Sequence, residues 1–420
     1  MTISRREFLK VGGAGISVSL LFSDLLKGDL IANPSARKIL VIVQLAGGND
    51  SLNTFIPYTD RRYNQARPTL ALHDEAVLKV DDRFAFHSSM QPLKELYDQG
   101  RLAFVNGVGF PSLDRSHFRC RNVWQTADES AGPAAKGQLG WLGRYADAYL
   151  SSGATAVTTF AVGGREPLGL TSRTVSGTSI ISPEVFSTST DLVIDPRDPS
   201  DIEPYKAALF EIYGQQKQPG DVDLIRTRGR AAFEAVDLFK QLGPASMASY
   251  PNSRLGRTLQ LIARIAAADI GTAIVWIAVD GFDTHGLQAT THSKLLGDVS
   301  SSLLAFQQDL NARRLADNVV VLAWSEFGRR VFENGNLGTD HGKAGTVFLI
   351  GNRVKGGAYG DVPDLSDLDD GDLKTRIDFR SVYWTVIEDW LSHDPLPVLQ
   401  RRFENLGFMQ RAGRVRAIRH

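Results

Sequence analysis

The feature that most constrains the fold of this chain is a series of apolar runs of strand length, each followed by a glycine-rich or polar cluster. The runs occupy residues 38–45, 102–108, 272–279, 319–324 and 346–350. Near-continuous apolar runs are typical of strands buried on both faces, and helical patterns separate them at residues 90–99, 141–150, 254–268 and 287–315. This alternation predicts an α/β fold, a three-layer α/β/α sandwich with a mostly parallel central sheet.

The middle of the chain has a different character. Residues 163–253 contain Ser/Thr-rich segments punctuated by proline, around two helical patterns at 204–213 and 225–242. Such a composition favours loops and excursions over regular sheet structure. We therefore predict one α/β/α domain spanning residues 37–420, with an insertion or cap at about residues 163–253.

The N-terminus carries an export pattern. Arg5 and Arg6 are followed by an apolar pair, by Lys10 and by an apolar stretch that ends near residue 22. This pattern is typical of a twin-arginine signal, and the stretch is shorter than the roughly 20 residues that a bilayer crossing requires. We expect residues 1–36 to be a signal peptide, the twin-arginine translocase to be a partner during export, and the mature form to be periplasmic or extracellular with no stable membrane span.

Charge composition narrows the class of partner. Lysine plus arginine and aspartate plus glutamate both number 47, so no global field favours nucleic acid, and no nucleic-acid partner is expected. Function must therefore reside in a local site.

Polar clusters follow the predicted strands, where ligands bind in folds of this class. Their candidate site residues are Asn49, Asp50, Arg115, Ser116, His117, Asp283, His285, Glu326, Asp340 and His341. Imidazole nitrogens favour zinc, whereas carboxylate oxygens also suit magnesium, manganese or calcium. The clusters predict a site for divalent metal, with Asp50, Asp283, His285, Glu326, Asp340 and His341 as ligands; they do not decide among the four metals or the number of ions. Taken singly, each of these residues could equally be a helix cap or a structural histidine.

Ser116 is the candidate nucleophile. It precedes a predicted helix from about residue 117 to 126, so its hydroxyl would lie near free backbone N–H groups that favour an anionic substrate. The guanidinium of Arg115 could form two parallel hydrogen bonds to a phosphate or sulfate group. His117 and Asn49 are further candidate substrate contacts. A metal that lowers the pKa of the hydroxyl would make Ser116 a competent nucleophile. The alternative is that Ser116 only caps the helix.

The same clusters carry a family resemblance. The matching segments are LAGGND at 45–50, RSHF at 115–118 with WQT at 124–126, GFDTH at 281–285, SEFGR at 325–329, GTDHG at 338–342 and GGAYG at 356–360. On these segments the chain resembles the exported domain of unknown function 1501 family. That family is similar in turn to the alkaline phosphatase-like superfamily of phosphatases, sulfatases and phosphomutases.

This resemblance implies an exported hydrolase of phosphate or sulfate esters, acting on a small anionic ester or an envelope polymer. By the same resemblance, Ser116 takes the place of the nucleophile, Asp283 and His285 the place of an Asp/His metal pair, Glu326 that of a strand-end aspartate ligand, and His341 that of a late histidine ligand, which Asp340 could join.

Several positions depart from the superfamily pattern. Ala46 stands where the first strand usually ends in a metal-binding aspartate, Asp283 and His285 are two residues apart instead of four, and Phe327 stands where a second imidazole is expected. A noncatalytic binding or assembly protein on a degenerate site is therefore the alternative. An esterase of the SGNH type is disfavoured, because only its G-x-N-D block is present, at residues 47–50.

Overall fold

The computed structural model describes residues 37–135, 137–163, 166–180 and 246–410, together with Ala235, Leu238, Leu242 and Gly243. Its larger strands are β1 (Ile39–Leu45), β5 (Leu102–Gly109), β6 (Thr159–Val162), β7 (Thr178–Ile180), β8 (Ile274–Val279), β9 (Val319–Trp324) and β10 (Gly345–Ile350). The short strands are β2 (Phe55–Ile56), β3 (Val77–Lys79), β4 (Ala85–His87), β11 (Gly357–Tyr359), β12 (Leu368–Asp369), β13 (Asp372–Leu373) and β14 (Ile377–Asp378).

The central sheet has nine strands within the described residues. They pair in the order β11-β5-β10-β9-β1-β8-β6-β7, and β14 pairs with β5. Strand β10 is antiparallel to both of its neighbours, and the other strands all run in one direction. Strand β10 follows β9 through a loop without a helix, and neighbouring strands joined without a crossover helix are usually antiparallel. The predicted mostly parallel sheet is confirmed.

Alternating side chains of the sheet enter two separate cores, which makes the architecture three-layered. On β1, Val41 and Val43 join one core, whereas Leu40 and Ile42 join the other. Because successive side chains of a strand point to opposite faces, both faces of the sheet are covered. The predicted α/β/α sandwich is confirmed.

Helices cover the two faces. The helices of the described residues are α1 (Arg61–Ala66), α2 (Gln91–Asp98), α3 (His117–Thr126), α4 (Trp141–Tyr149), α5 (Arg254–Ala268), α6 (Gln288–Ala312), α7 (Phe379–Thr385) and α8 (Leu396–Leu399). Helices α2, α5 and α6 pack on one face of the sheet, and α3, α4 and α7 pack on the other. The helical patterns at 90–99, 141–150, 254–268 and 287–315 thus correspond to α2, α4, α5 and α6.

The predicted insertion falls largely outside the described residues, as do the signal peptide at 1–36 and the helical patterns at 204–213 and 225–242. Residues 166–180 and 246–253 of the insertion are described, and β7, within the first of these ranges, pairs with β6 at the edge of the central sheet. Residues 178–180 are therefore part of the central sheet. Among the described helices, none is both long enough and apolar enough to cross a bilayer.

Candidate metal centre

The candidate site forms where loops 46–50, 280–287 and 325–344 meet, beyond the carboxyl ends of the adjacent strands β1, β8 and β9. The buried guanidinium of Arg329 links these loops. Its Nε donates to the carbonyl of Gly48 at 2.7 Å and its Nη1 to the carbonyl of Thr339 at 2.7 Å. Its Nη2 donates to the carbonyl of Phe282 at 2.9 Å and to Asp283 Oδ1 at 2.7 Å. Arg329 is therefore a hub that fixes the loops relative to one another.

Gly47 allows loop 46–50 to contact loop 280–287. Its φ is +122°, and a Cβ at this position would lie 2.3 Å from the backbone nitrogen of Asp283. Any side chain would push the two loops apart, so the glycine after β1 serves close backbone approach.

Three histidines converge on the carboxylate of Asp283. The Nε2 atoms of His285 and His341 each lie 3.1 Å from Asp283 Oδ1, and they lie 2.9 Å from each other. The Nε2 atom of His117 lies 3.4 Å from Asp283 Oδ2. Ligand atoms of His117, Asp283 and His341 all lie within 4.8 Å of one another, and His285 contacts two of these three residues.

An acceptor engages the Nδ1 atom of each histidine. His117 Nδ1 lies 3.0 Å from Glu326 Oε1, and His285 Nδ1 lies 3.0 Å from Asp340 Oδ1. His341 Nδ1 lies 3.0 Å from the backbone carbonyl of Arg115. Because a carbonyl or an ionised carboxylate can only accept, each Nδ1 carries the proton and each Nε2 of a neutral ring presents a lone pair. Outer acceptors of this kind orient histidines that bind metals.

This arrangement suits a cation. With the tautomers set by their Nδ1 partners, the Nε2 lone pairs of His285 and His341 face each other at 2.9 Å beside the Asp283 carboxylate. Arg329 offsets the charge of that carboxylate, and a cation between the two rings would offset the repulsion of their lone pairs. Within the described part of the chain, Nε2 of His117 is buried without a hydrogen-bond partner. The donor set therefore fits a divalent metal held by His117, Asp283 and His341, with His285 beside them.

The charge states agree with this description. Burial by itself would raise the pKa of Asp283, but the hydrogen bond from Arg329 and the charge of Arg329 lower it to about 2. Burial lowers the pKa of His341, which favours its neutral ring at pH 7. The hydrogen bond to Glu326 raises the pKa of His117, so a metal ion would compete with a proton at that ring.

Glu326 and Asp340, both predicted ligands, hold histidines in place. Glu326 is buried and its Oε1 accepts from His117 and from the backbone N–H of Gly47 at 3.0 Å. Asp340 is exposed and accepts from His285 and from Asn334 Nδ2 at 3.1 Å. Hydrogen bonding, first from Asn334, lowers the pKa of Asp340 and keeps it an acceptor.

Asp50 and Asn49 lie in a separate buried network. The Asp50 carboxylate pairs with Arg67 at 2.5 and 2.9 Å and accepts from Gln288 Nε2 at 2.5 Å. Asn49 engages its side chain with Thr54 at 3.1 Å and with His292 Nε2 at 3.0 Å. The structure thus does not bring Asp50 to the histidines, and the Asn49 amide is used within the protein instead of facing a substrate.

Arg115 and Ser116 lie at the start of α3, next to His117. The Arg115 side chain pairs with Asp370 at 3.0 Å and with the buried Asp372 at 2.8 Å, so its guanidinium is already engaged. Ser116 is the N-cap residue of α3, but its side chain makes no capping hydrogen bond. The capping interpretation of Ser116 is therefore not what the geometry shows, and its half-buried hydroxyl is available for another partner.

The site also contains residues to which sequence reasoning gave no role. Arg329 lies in the segment SEFGR but carried no prediction, and Arg67 and Gln288 lie outside every motif. A buried arginine gives no signal in a sequence, because the side chain is mostly exposed in proteins.

The sequence matches the family described as protein of unknown function (DUF1501) over residues 37–378. The chain belongs to this family. The resemblance stated from its motifs is confirmed, and the match covers the sheet and every residue of the DUF1501 site discussed above. No curated protein matches the sequence.

Solved structures similar to this DUF1501 protein are remote. The zinc complex of the C-terminal periplasmic domain of EcEptC from Escherichia coli shares 10% identity, with 77% of each chain covered and a TM-score of 0.35. The lipoteichoic acid synthase LtaP from Listeria monocytogenes shares 10%, with 89% of this chain and 80% of that chain covered and a TM-score of 0.37. An alkaline phosphatase from the Antarctic bacterium TAB5 shares 9%, with 76% and 92% covered and a TM-score of 0.34. Proteins this distant need not share chemistry, so the function has to be argued from the site's own residues.

Proposed function

We propose that this DUF1501 protein is an exported, metal-dependent hydrolase of phosphate or sulfate esters with Ser116 as its nucleophile. The observation that carries the proposal is the convergence of the His285 and His341 Nε2 lone pairs on the Asp283 carboxylate, with both Nδ1 atoms tied to acceptors. The twin-arginine pattern of residues 1–36 supports export to the periplasm or the extracellular space.

The proposed ligands are His117, Asp283, His285 and His341. Imidazole nitrogens with one carboxylate form a donor set typical of zinc, and less typical of magnesium or calcium, which prefer oxygen. A zinc ion would supply positive charge toward the ester oxygens on which negative charge develops. Asp340, Glu326 and the carbonyl of Arg115 would keep the rings oriented.

Ser116 would supply the nucleophilic oxygen. Its Oγ would form a bond to phosphorus or sulfur while the bond to the leaving alcohol breaks, and water would hydrolyse the covalent ester in a second step. The proton of the Ser116 hydroxyl passes to solvent, and the departing alkoxide takes up a proton from solvent. The first-turn N–H groups of α3 lack helical acceptors, which favours an anionic group near Ser116.

Replacing Ser116 with alanine should abolish ester hydrolysis and leave zinc bound. The expected loss is at least about 1,000-fold in kcat, because the nucleophile of a covalent mechanism has no substitute. The measurement is turnover of aryl phosphate and aryl sulfate by zinc-loaded protein, with zinc content determined in parallel. Ser112→Ala, on an exposed serine just before the site, is the matched control. Full activity in Ser116→Ala would remove the nucleophile from the mechanism.

Asp372→Asn should weaken zinc binding without touching a ligand. Asp372 is fully buried against Arg115, which has a left-handed backbone (φ 64°) and offers its carbonyl to His341. Loss of the ion pair should free this strained backbone, weaken zinc affinity about 10-fold and lower the free energy of unfolding by about 1–3 kcal/mol. Chelator competition and urea denaturation measure the two effects. Asp370→Asn, on the exposed second partner of Arg115, should change both little; equal effects at the two positions would contradict this role.

A noncatalytic binding or assembly protein is the second candidate. The engagement of Arg115 with Asp370 and Asp372 favours it, because the guanidinium of this residue, which precedes Ser116 in the chain, is already paired and is not free for an anionic ester. Stoichiometric zinc binding together with no turnover of phosphate or sulfate esters would support this candidate over the hydrolase.

A further inference from the structure

Exposed large apolar side chains concentrate on the segments that carry the candidate metal centre. Among the described residues, those that are exposed are Phe118, Met247, Leu287, Phe332, Leu337 and Leu396. Phe118 directly follows His117, Leu287 comes two residues after His285, and Leu337 precedes Asp340 by three. Scattered exposed apolar residues are ordinary, but a group of them around one site indicates contact with an apolar partner.

Leu287 and Leu337, here called the leucine pair, are neighbours held by the backbone. The N–H of Leu287 donates to the carbonyl of Asn336 at 3.0 Å, and the N–H of Gln288 donates to the carbonyl of Leu337 at 2.9 Å. The same two loops are joined at His285, whose carbonyl accepts from Asn334 Nδ2 at 3.0 Å. The leucine pair is thus fixed next to the candidate metal ligands.

Both members of the leucine pair have a left-handed backbone, and neither contributes to a core. Leu287 has a φ of 46° and an exposed fraction of 73%, and Leu337 has a φ of 56° and an exposed fraction of 45%. Glycine or asparagine would relieve the backbone strain and would also be better hydrated. A leucine in this position is unfavourable for folding twice, because its backbone is strained and its apolar side chain is exposed to water. Two such leucines side by side point to a role in binding.

We infer that the leucine pair binds the apolar part of the substrate, so that the site selects anionic esters with an alkyl or aryl substituent over small polar esters. This inference rests on the proposed function. A ligand whose charged end reaches the histidines would have its apolar body next to loops 284–288 and 334–339, where leucine side chains remove apolar surface from water. Sugar phosphates and other polar esters would gain nothing from the pair.

The test compares binding of hexylphosphonate and methylphosphonate to the zinc-loaded protein by titration calorimetry. We expect hexylphosphonate to bind about 10-fold or more tightly, from burial of its methylene groups. In the double variant Leu287→Asn/Leu337→Asn, this ratio should fall to about 3-fold or less, with methylphosphonate affinity unchanged. Asparagine tolerates the left-handed backbone, so the double variant should keep its melting temperature.

Met247→Gln is the matched control. Met247 is also exposed, but its backbone N–H donates to Asp309, 21 residues along α6 from the start of that helix and thus about 30 Å from the leucine pair. The ratio should not change in this variant. A ratio near one in the wild type, with methylphosphonate bound, overturns the inference and leaves the proposed function standing. A fall of the hexylphosphonate-to-methylphosphonate affinity ratio to about 3-fold or less in Met247→Gln also overturns the inference.

Two further outcomes are informative. If neither phosphonate binds, both the proposed function and this inference fail. If the protein co-sediments with phosphatidylglycerol vesicles, the double variant does not, and the phosphonate ratio is near one, then the leucine pair contacts a membrane surface and the substrate inference is overturned.

Discussion

Asp283→Asn should lower the zinc affinity of this protein by at least about 100-fold, the largest effect on binding expected of any single substitution. Asp283 supplies the carboxylate on which His117, His285 and His341 converge. Asparagine keeps the shape of the side chain but removes the negative charge that balances a divalent ion. Elemental analysis of the purified variant, followed by competition with a chromophoric chelator, measures the change.

Asp280→Asn is the control for this substitution. Asp280 is exposed in the same loop, three residues before Asp283. The variant therefore tests whether loss of any negative charge near the site lowers the zinc affinity. Its zinc affinity should stay within about 3-fold of the wild type, because an exposed charge is well screened. If wild type and Asp283→Asn contained equal amounts of zinc, Asp283 would not be a zinc ligand and the proposed ligand set would be wrong.

Arg329→Met should cause the largest loss of stability, about 3–5 kcal/mol in the free energy of unfolding. The substitution leaves the carbonyls of Gly48, Phe282 and Thr339 without their buried donor, and Asp283 without its cation. Lysine in this position should also destabilise, because a single ammonium cannot replace a planar group with five donors. Urea denaturation of the metal-free protein measures the effect separately from zinc binding.

The neighbouring Arg330 provides the comparison. Its guanidinium is partly exposed, donates to the backbone carbonyl of Asp370 and lies 3.7 Å from the Asp370 carboxylate and 3.8 Å from that of Asp372. Because these ion pairs are long and the guanidinium is in contact with solvent, Arg330→Met should cost about 1 kcal/mol, well below the cost of Arg329→Met. If the two substitutions destabilised the protein equally, Arg329 would have no special role as the hub of the three loops.

The sequence predicted the sheet well because apolar periodicity is a local property. Strand β9 was predicted with its observed bounds, and β1, β5 and β8 within two residues at each end. The antiparallel direction of β10 was not predicted, although no helical pattern lies between residues 325 and 344, because the sequence does not show that β10 pairs with β9. Strand β7 was missed because its flanks are rich in serine, threonine and glycine, which resemble a loop.

The candidate site was predicted in part for a related reason. The strand-end rule correctly indicates that the segments with Asp283, Glu326 and His341 meet, since their strands are adjacent. It does not indicate which carboxylates face inward. Asp50 pairs with Arg67 and Glu326 accepts from His117, and both outcomes depend on side-chain partners far apart in the sequence.

The position of β1 has a consequence for synthesis. This strand is entirely apolar apart from Gln44, yet in the described structure it pairs with β8 and β9, the first of which begins roughly 230 residues later. At about 5–20 residues per second, a ribosome would take roughly 10–50 s to deliver β8. During that interval the nascent strand has no native neighbour, so a holding chaperone that binds short apolar peptides should contact residues 39–45 until β8 has been synthesised.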